Sequence, residues 1–455
     1  MLDRIKQIIL IKALNLLFSV LSLVRNDRIF RWSYSLIAFF AQRLVKKDYY
    51  VEKIRWIKGL FDSSHPCLPA TRKILQGTNP HHRKTIIKSF IINQLLTGTN
   101  KRKAFSQKES GYYPPGFFVI SPSMKCNLNC YGCYAGYYDK KAELTFDEID
   151  RVLLQAKEMG IYFCVVSGGE PLFYTKIFDM FEKHNDMIFH VYSNGSLIDE
   201  DACRRLSEVG NVIPAISLEG FREETDRRRG KGHYDRVMKA MDLLRNAGIL
   251  FGFSATLTRQ NSDLLSSEQF IDAMIEKGCI LGWYFMYVPI GREPDLDLMP
   301  TPEQRGLQFE RLTRLRNSKP IFLADFWNDG PVVGGCISGG RKYFHVNANG
   351  DVEPCVFCHF ATHNIRTSTL QEAVNSPLFR SIRCQLPSYE NLLRPCTIID
   401  KPEISRNAIS EHDAYFTHQG AEIIYRDMVQ EIDDYAERYA AIADPLWERY
   451  FKSRK

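Results

Sequence analysis

Between residues 117 and 290, short apolar runs alternate with longer stretches whose apolar residues recur at helical spacing. The short runs have the length and the β-branched and aromatic content of buried strands. Six strands are predicted, at Phe117–Ser121, Phe163–Ser167, Ile188–Ser193, Val212–Leu218, Leu250–Leu257 and Leu281–Val288. This alternation predicts an α/β fold in which a parallel sheet curls into a partial (β/α)6 TIM-like barrel. Ligands of such barrels gather at the carboxyl ends of the strands.

Two of the intervening helices have recognisable ends. One begins after Thr145, because Thr145 and Glu148 have the spacing of a capping box ahead of an apolar-periodic run. Another is predicted over roughly residues 234–246 and stops before Gly248, a residue type that commonly follows the end of a helix.

The first 60 residues contain two long apolar stretches, Ile8–Val24 and Trp32–Val45. The first is short for a membrane span, which needs ~20 predominantly apolar residues, and a charged residue interrupts it. Its polar residues recur at spacings of three, four and three and so share one stripe of a helix: Lys12, Asn15, Ser19 and Ser22. These helices either dock on the protein's own body or lie on a membrane surface.

The basic residues are concentrated in the same region. Residues 1–60 contain twelve Lys or Arg and four Asp or Glu, a net charge of +8, and residues 61–110 add +7. Because the whole chain carries +7, the remaining 345 residues carry −8. A basic and apolar N-terminal region on an acidic body favours an anionic partner surface, either a membrane or a nucleic acid. Its long apolar runs favour the membrane, so a nucleic acid is not expected.

A turn-rich passage between Pro320 and Cys336 predicts a domain junction. We therefore expect four regions: a basic helical region over residues 1–110, the barrel over 111–320, a cysteine-bearing extension over 321–402 and a helical tail over 403–455. Seven of the twelve cysteines fall into two close groups, a pattern typical of metal or cluster ligands in a reducing compartment rather than of disulfides. The first apolar stretch lacks a small-residue cleavage site, so we expect a cytoplasmic protein.

Cys126, Cys130 and Cys133 lie in the loop after the first predicted strand, where barrel enzymes place their active sites. Three thiolates within eight residues can bind three irons of a cubane cluster and leave the fourth iron open to a ligand. Zinc or unligated cysteines are the alternatives, although zinc normally takes a fourth Cys or His and none follows nearby.

The Cys-three-Cys-two-Cys spacing resembles the radical S-adenosylmethionine (SAM) superfamily, and further motifs occur where that family has them. Gly168-Gly169-Glu170 follows the second strand, Ser193-Asn194 ends the third, and Ser217-Leu218-Glu219 ends the fourth. The resemblance implies that the glycines and Glu170 bind the amino group of SAM and that Arg229 pairs with its carboxylate. The family often has an aromatic residue directly before the third cysteine, where this chain has Gly132.

Four later cysteines, Cys336, Cys355, Cys358 and Cys396, resemble the auxiliary-cluster extensions called SPASM or twitch domains. Four thiolates suffice for one fully ligated 4Fe-4S cluster. Cys384 competes with Cys396 as the fourth ligand, and His359 or His363 can substitute. A zinc knuckle is the alternative for this segment.

The resemblance implies an enzyme that reductively cleaves SAM to a 5′-deoxyadenosyl radical, which abstracts hydrogen from a substrate. An electron donor such as flavodoxin or ferredoxin would supply the electron. The basic, apolar N-terminal region favours a membrane lipid or isoprenoid substrate and a peripheral position at the inner face of the membrane. A peptide-modifying maturase and a non-catalytic electron carrier are the alternatives, and SAM-binding motifs argue against the carrier. No acid–base pair is assigned from the sequence.

Overall fold

The computed structural model describes residues 2–44, 48–63, 65–108, 112–387 and 390–453. Lys46 and Lys47, which follow the second apolar stretch, lie outside these ranges. The N-terminal region is helical, with α1 Leu2–Leu23, α2 Asp27–Leu44, α3 Asp48–Asp62, α4 Cys67–Gly77, α5 Pro80–Ile86, a π-helix at Ile87–Gly98 and α6 Thr99–Lys108. Both apolar stretches are therefore helices, as predicted.

The central region alternates strands and helices. Its elements are β1 Phe118–Ile120, α7 Phe146–Glu158, β2 Phe163–Val166, α8 Ile177–Lys183, β3 Ile188–Ser193, α9 Glu200–Val209, β4 Val212–Leu218, α10 Arg222–Arg229, α11 His233–Asn246, β5 Gly252–Leu257, α12 Ser262–Leu265, α13 Glu268–Lys277, β6 Leu281–Met286, α14 Pro302–Ser318 and β7 Phe322–Asp325. Short 3₁₀ turns occur at Pro171–Phe173 and Leu296–Leu298. The capping box of α7 is present, since the side chains of Thr145 and Glu148 bond each other's backbone.

The C-terminal region has shorter elements: α15 Gly330–Val333, β8 His345–Val346, β9 Val352–Glu353, β10 Phe360–Ala361, α16 Leu370–Val374, α17 Pro377–Cys384, α18 Pro402–Glu411, β11 Tyr415–Phe416, α19 Ile423–Arg426, α20 Val429–Trp447 and a π-helix at Glu448–Lys452. The predicted helical tail thus includes a strand, β11, which pairs antiparallel with β10 of the cysteine-bearing segment.

A sheet of nine strands, in the order β7-β6-β5-β4-β3-β2-β1-β8-β9, forms the curved wall of the barrel. The strands from β1 to β8 run parallel, and β9 pairs antiparallel with β8. All six predicted strands are present, and the α/β partial barrel is confirmed. Strand β7 was not predicted, because its four residues lie in the passage expected to be a domain junction and are too few to show an alternating pattern.

The helices from α4 to α6 cover the amino ends of the barrel strands. Side chains of this region donate hydrogen bonds to carbonyl oxygens just ahead of β5, β3 and β2: Asn79 to Ala247 (3.0 Å), Asn93 to Asp186 (2.8 Å) and Arg102 to Gly160 (2.7 Å). The cysteine loops lie at the opposite, carboxyl ends. Residues 67–108 therefore close the amino end of the barrel, and the cysteine loops lie at its carboxyl end.

The first two helices pack on the body and are also exposed. α1 contacts α4 and the π-helix at Ile87–Gly98. Leu21 and Phe30 are buried in a small core with Leu68 and Leu75. The exposed surface of α1 differs from the predicted polar stripe, because Leu16, Val20 and Leu23 are exposed beside Lys12 and Ser19. A bilayer-spanning helix is absent from the described part of the chain, since none of its helices combines the necessary length with the necessary apolarity.

The contact between α6 and the barrel gives a stability test. Gly160 has a φ of +85°, and a Cβ there would lie 2.7 Å from the carbonyl oxygen of Gly98 and 2.9 Å from the backbone nitrogen of Arg102. We expect Gly160→Ala to lower the free energy of unfolding by about 1–2 kcal/mol for its left-handed backbone and by about 1–3 kcal/mol more for the clash. Thermal unfolding of the purified protein measures the combined loss.

Gly232→Ala is the matched control, because Gly232 also has a positive φ (+78°) but no heavy atom lies within 4 Å of its added Cβ. It carries the backbone cost alone and should lower the melting temperature less than Gly160→Ala. Equal losses in the two variants would show that the packing of α6 against the barrel is loose.

Candidate active site

The loop after β1 brings three thiols to the carboxyl end of the sheet. Cys126, Cys130 and Cys133 all line one wall of a cavity there. The sulfur of Cys126 accepts hydrogen bonds from the backbone nitrogen of Leu128 (3.4 Å) and from the side-chain amide of Asn194 (3.9 Å). Such N–H donors favour the thiolate form, which is the form that binds iron.

The glycines after β2 allow two backbone segments to approach each other closely. The backbone nitrogens of Gly169 and Glu170 donate to the carbonyl oxygens of Ser123 (3.0 Å) and Lys125 (2.8 Å). A Cβ at Gly169 would lie 2.1 Å from the Lys125 carbonyl oxygen, so no larger residue fits there. Both glycines also line the cavity. The Gly168-Gly169-Glu170 segment thus fixes the start of the loop that carries the cysteines.

Glu170 is fully buried behind these glycines and is not among the residues that line the cavity. Its carboxylate accepts hydrogen bonds from the hydroxyl of Ser193 (2.8 Å) and from the backbone nitrogens of Asn194 (2.7 Å) and Leu172 (3.2 Å). Burial raises the pKa of Glu170, and these three donors oppose that rise. Its contacts connect the ends of β2 and β3 and hold Asn194 at the cavity wall.

Two arginines at the end of α10 supply positive charge to the site. Arg229 lines the cavity and donates to one oxygen of Glu219 through Nε (2.9 Å) and Nη2 (2.6 Å). Arg228 lies 2.8 Å from the same oxygen and also donates to the carbonyl oxygen of Gly132 (3.3 Å). Burial raises the pKa of the Cys130 thiol, and the charges of Arg229 and Arg228 act against this rise.

Gly132 leaves room for an aromatic ring from the other side of the barrel. Its φ is +60°, and a Cβ would lie 2.6 Å from the ring of Tyr287, which follows β6. The aromatic residue that the family often has before the third cysteine would occupy this space. Tyr287 and its neighbour Val288 line the cavity. Arg292 also links the loop after β6 to the loop after β1, because its guanidinium donates to the Cys130 carbonyl oxygen (3.0 Å).

The cavity is bounded by the barrel and by the C-terminal segment. Its aromatic lining comes from both: Phe117, Tyr134, Tyr192, Trp283, Phe285, Tyr287, Phe326, Tyr343 and Phe357. Apart from the cysteines, Arg228 and Arg229 are the lining residues with charged side chains among the described residues. The cavity therefore has its charged residues at the cysteine end, and the rest of its wall is mostly aromatic and aliphatic, with the hydroxyls of Ser254 and Thr256 among it.

The second group of cysteines lies behind this aromatic wall. Cys355 and Cys358 are buried and flank the lining residues Val356 and Phe357. Burial raises the pKa of the Cys358 thiol well above its usual value; contact with Cys355 and the charges of Cys336 and Cys396 raise it further. The four thiols therefore lie within electrostatic range of one another.

A buried ion pair holds the segment that carries Cys396. The guanidinium of Arg305 donates to both oxygens of Asp400, at 2.5 and 2.9 Å, and Asp400 accepts from the backbone nitrogen of Cys396 (2.9 Å). Cys384, the competing fourth ligand, is exposed at the end of α17. Both ring nitrogens of His359 are engaged, with the Val356 carbonyl oxygen and with His418.

The donor sets at both places are suited to iron–sulfur clusters. Backbone N–H groups two residues further along the chain point at the sulfurs of Cys126, Cys355 and Cys396, at 3.4–3.5 Å. No three Cys, His, Asp or Glu side chains converge on one point, as a single metal ion requires, in the described ranges. A cubane cluster instead takes each thiolate on a different iron, so its ligands stand apart.

The model of the radical SAM superfamily matches residues 120–263, and the model of the SPASM iron–sulfur cluster-binding domain matches residues 336–397. The chain is a radical SAM enzyme with a SPASM domain. Its cofactors are SAM, a SAM-binding 4Fe-4S cluster and an auxiliary cluster.

Sequence relatives of this radical SAM enzyme have different activities. It is 25% identical over 309 residues to an AdoMet-dependent heme synthase of Methanosarcina barkeri, covering 60% of this chain and 88% of that protein. It is 28% identical over 298 residues to the mycofactocin maturase MftC of Mycolicibacterium smegmatis, covering 61% and 74%. The crystal structure of Streptococcus suis SuiB bound to its precursor peptide SuiA is 19% identical, with a TM-score of 0.53 over 67% of this chain and 72% of that one, which shows a shared fold.

The structure brings most of the sequence-predicted SAM site together. The three cysteines, Gly168, Gly169, Asn194, Ser217 and Arg229 share the cavity wall, whereas Glu170, Ser193 and Glu219 lie behind it and orient their neighbours. Sequence reasoning missed Arg228, Tyr287 and the aromatic lining. The alternation of Leu281, Trp283 and Phe285 along β6 was the available signal, since alternate residues of a strand share a face.

Arg229 provides the test of SAM recognition. We expect Arg229→Ala to weaken SAM binding by about tenfold or more, because a charge-assisted hydrogen bond contributes about 1.5–3 kcal/mol. Anaerobic calorimetric titration measures the affinity, with iron content confirming that the clusters are loaded. Arg227→Ala is the control, since Arg227 is exposed on the same helix and pairs with Glu223. Unchanged affinity in Arg229→Ala at full iron content would show that the carboxylate of SAM binds elsewhere.

Proposed function

We propose that this radical SAM enzyme abstracts hydrogen from an unactivated carbon of a membrane lipid or isoprenoid while bound at an anionic membrane surface. When bound, the SAM-binding cluster and SAM supply a 5′-deoxyadenosyl radical as the abstracting species. The protein orients the substrate and excludes water. The aromatic cavity is the observation that carries this proposal.

We also propose the ligand sets and the regions of the chain. Cys126, Cys130 and Cys133 hold the SAM-binding cluster at the open end of the barrel. The auxiliary cluster is held by Cys336, Cys355, Cys358 and Cys396. The four regions are proposed with the expected boundaries, except that β7, β8 and β9, at residues 322–325, 345–346 and 352–353, belong to the barrel sheet. A flavodoxin or ferredoxin supplies the electron.

The lining of the cavity selects an apolar substrate. Each methylene group moved from water into such a lining contributes about 0.8 kcal/mol, so a hydrocarbon segment is favoured. The charged lining residues Arg228 and Arg229 lie at the cysteine end, so a charged group elsewhere in the cavity would lose its hydration without gaining a charged partner.

The aromatic lining continues toward the N-terminal helices. The ring of the cavity residue Phe117 lies 5.7 Å from that of Phe163 at the start of β2, and Phe163 lies 6.1 Å from Phe90 of the π-helix. Phe163, Ile213 and Leu281, near the amino ends of their strands, are only partly buried. Packed apolar side chains therefore continue from the cavity wall to the end of the barrel that α4–α6 cover.

The exposed face of α2 is apolar, which is unusual for a helix facing water. Four residues at spacings of three, four and three form this face: Ile29, Trp32, Leu36 and Phe39. They are 41–66% exposed, and on the neighbouring α1 Leu23 is 80% exposed. Lys12, Arg25 and Arg28 are exposed on the same two helices or between them. An amphipathic surface that combines apolar side chains with basic ones fits the interface of an anionic membrane.

A peptide is the second candidate substrate, and the relatives favour it. A maturase is among the sequence relatives, and SuiB, which shares the fold, has been crystallised with a precursor peptide. The same cavity would then receive an apolar or aromatic side chain. Deuterium transfer from labelled lipid or labelled peptide distinguishes the two substrate classes.

Hydrogen transfer identifies the substrate. We expect that anaerobic incubation with SAM, dithionite and anionic liposomes of a perdeuterated cellular lipid extract gives 5′-deoxyadenosine that contains deuterium, as measured by mass spectrometry. A variant with Cys126, Cys130 and Cys133 all changed to Ala should form no 5′-deoxyadenosine. Deuterium arriving only from a perdeuterated peptide fraction would reject the lipid in favour of the peptide.

The exposed apolar face of α2 is tested in the same assay. Changing Trp32, Leu36 and Phe39 to Ser should lower both liposome binding and deuterium transfer by about tenfold or more, because each removed side chain contributes on the order of 1 kcal/mol or more when buried in lipid. Transfer from detergent-dispersed lipid should stay near wild type. Phe322→Ser is the control, since Phe322 is 68% exposed but belongs to β7. Equal losses in both variants would exclude a specific role for α2.

A further inference from the structure

Tyr343 connects the cavity with the auxiliary cysteines. Its ring lines the cavity, and its hydroxyl donates a hydrogen bond to the sulfur of Cys355 at 2.7 Å. The same hydroxyl oxygen accepts from the backbone nitrogen of Val356 (3.3 Å). One side chain therefore touches both the substrate space and a ligand of the proposed auxiliary cluster.

The position of Tyr343 is tightly fixed. The residue is 1% exposed, and its ring stacks on Phe117 with centroids 5.3 Å apart. The ring of Phe326 is perpendicular to it, with centroids 5.9 Å apart. Water cannot readily replace its hydroxyl in such a position, so the hydrogen bond to Cys355 depends on the tyrosine itself.

A hydrogen bond to a ligand sulfur affects the two oxidation states of a cluster unequally. Reduction adds one negative charge that is shared by the irons and sulfurs, so the donor stabilises the reduced form more than the oxidised form. The number of such donors is one of the means by which a protein sets the reduction potential of a cluster.

We propose that Tyr343 is a positioning residue that raises the reduction potential of the auxiliary cluster through its hydrogen bond to Cys355. Because the same ring forms part of the cavity wall, the substrate space lies directly against the group that sets this potential. The proposal rests on Cys355 being a cluster ligand. The iron content of Cys355→Ala tests that assignment separately, since loss of the ligand should lower auxiliary iron whatever Tyr343 does.

The test is Tyr343→Phe in the full-length, anaerobically reconstituted protein. This change removes the hydroxyl and keeps the ring that stacks on Phe117. Potentiometric titration followed by electron paramagnetic resonance should show a more negative midpoint for the auxiliary cluster, with wild-type iron content and an unchanged midpoint for the SAM-binding cluster. The same titration in the variant with Cys126, Cys130 and Cys133 changed to Ala assigns the signal, because that protein retains only the auxiliary cluster.

Tyr425→Phe is the matched control. Tyr425 is also buried beside these cysteines, but its hydroxyl donates to the carbonyl oxygen of Cys358 (2.9 Å) rather than to a sulfur. The reduction midpoint of the auxiliary cluster in Tyr425→Phe should stay closer to wild type than the midpoint in Tyr343→Phe. An unchanged midpoint in Tyr343→Phe would overturn the proposal. Loss of auxiliary iron in that variant would also overturn it, because the hydroxyl would then be needed to hold the cluster rather than to tune it.

Discussion

The close approach of two backbone segments, residues 123–125 and 168–170, is the constraint on which the site depends. Two backbone hydrogen bonds join them, and the bare Cα of Gly169 faces the Lys125 carbonyl oxygen where a Cβ would lie only 2.1 Å away. This contact sets where the cysteine loop leaves the sheet. It also brings Glu170 under β3, where its carboxylate holds Asn194 at the cavity wall. A backbone contact therefore fixes where the loop that carries the first three thiols begins.

The C-terminal segment completes the barrel as well as carrying its own cysteines. β8 pairs parallel with β1, and Tyr343 just before β8 stacks on Phe117 just before β1. Phe326 after β7 and Phe357 between the buried cysteines fill the remaining side of the open barrel. One cavity consequently has the radical SAM cysteines at one end and the SPASM cysteines behind its wall. A substrate held there lies between the two cluster sites, within a lining that favours apolar groups.

The sequence predicted the elements well where the pattern was long and local. β3 and β4 have the predicted bounds, and the capping box of Thr145 and Glu148 is present. β7 was not predicted, because its four residues are too few to show an alternating pattern. The exposure of Trp32 and Leu36 could not be predicted from amphipathicity alone, since the packing of α2 against α3 decides which of its faces is covered.

The candidate site was predictable to the extent that motifs mark strand ends. Asn194 and Ser217 reach the cavity because parallel strands end at one edge of the sheet, and Arg229 reaches it from the end of α10. The pairing of Arg229 with Glu219 and the packing of Tyr287 over Gly132 depend on contacts between residues far apart in the sequence. Such contacts arise only when the barrel closes, so no local pattern reports them.

We propose that one cavity serves two clusters of different ligation, one with an open iron and one fully bound by the protein. Mössbauer spectroscopy of protein reconstituted with ⁵⁷Fe, with and without SAM, tests this claim most directly. We expect two cubane clusters, of which one changes a single iron subsite when SAM is added while the other stays the same. A spectrum that SAM leaves unchanged, or that shows a single cluster in fully loaded protein, would contradict it.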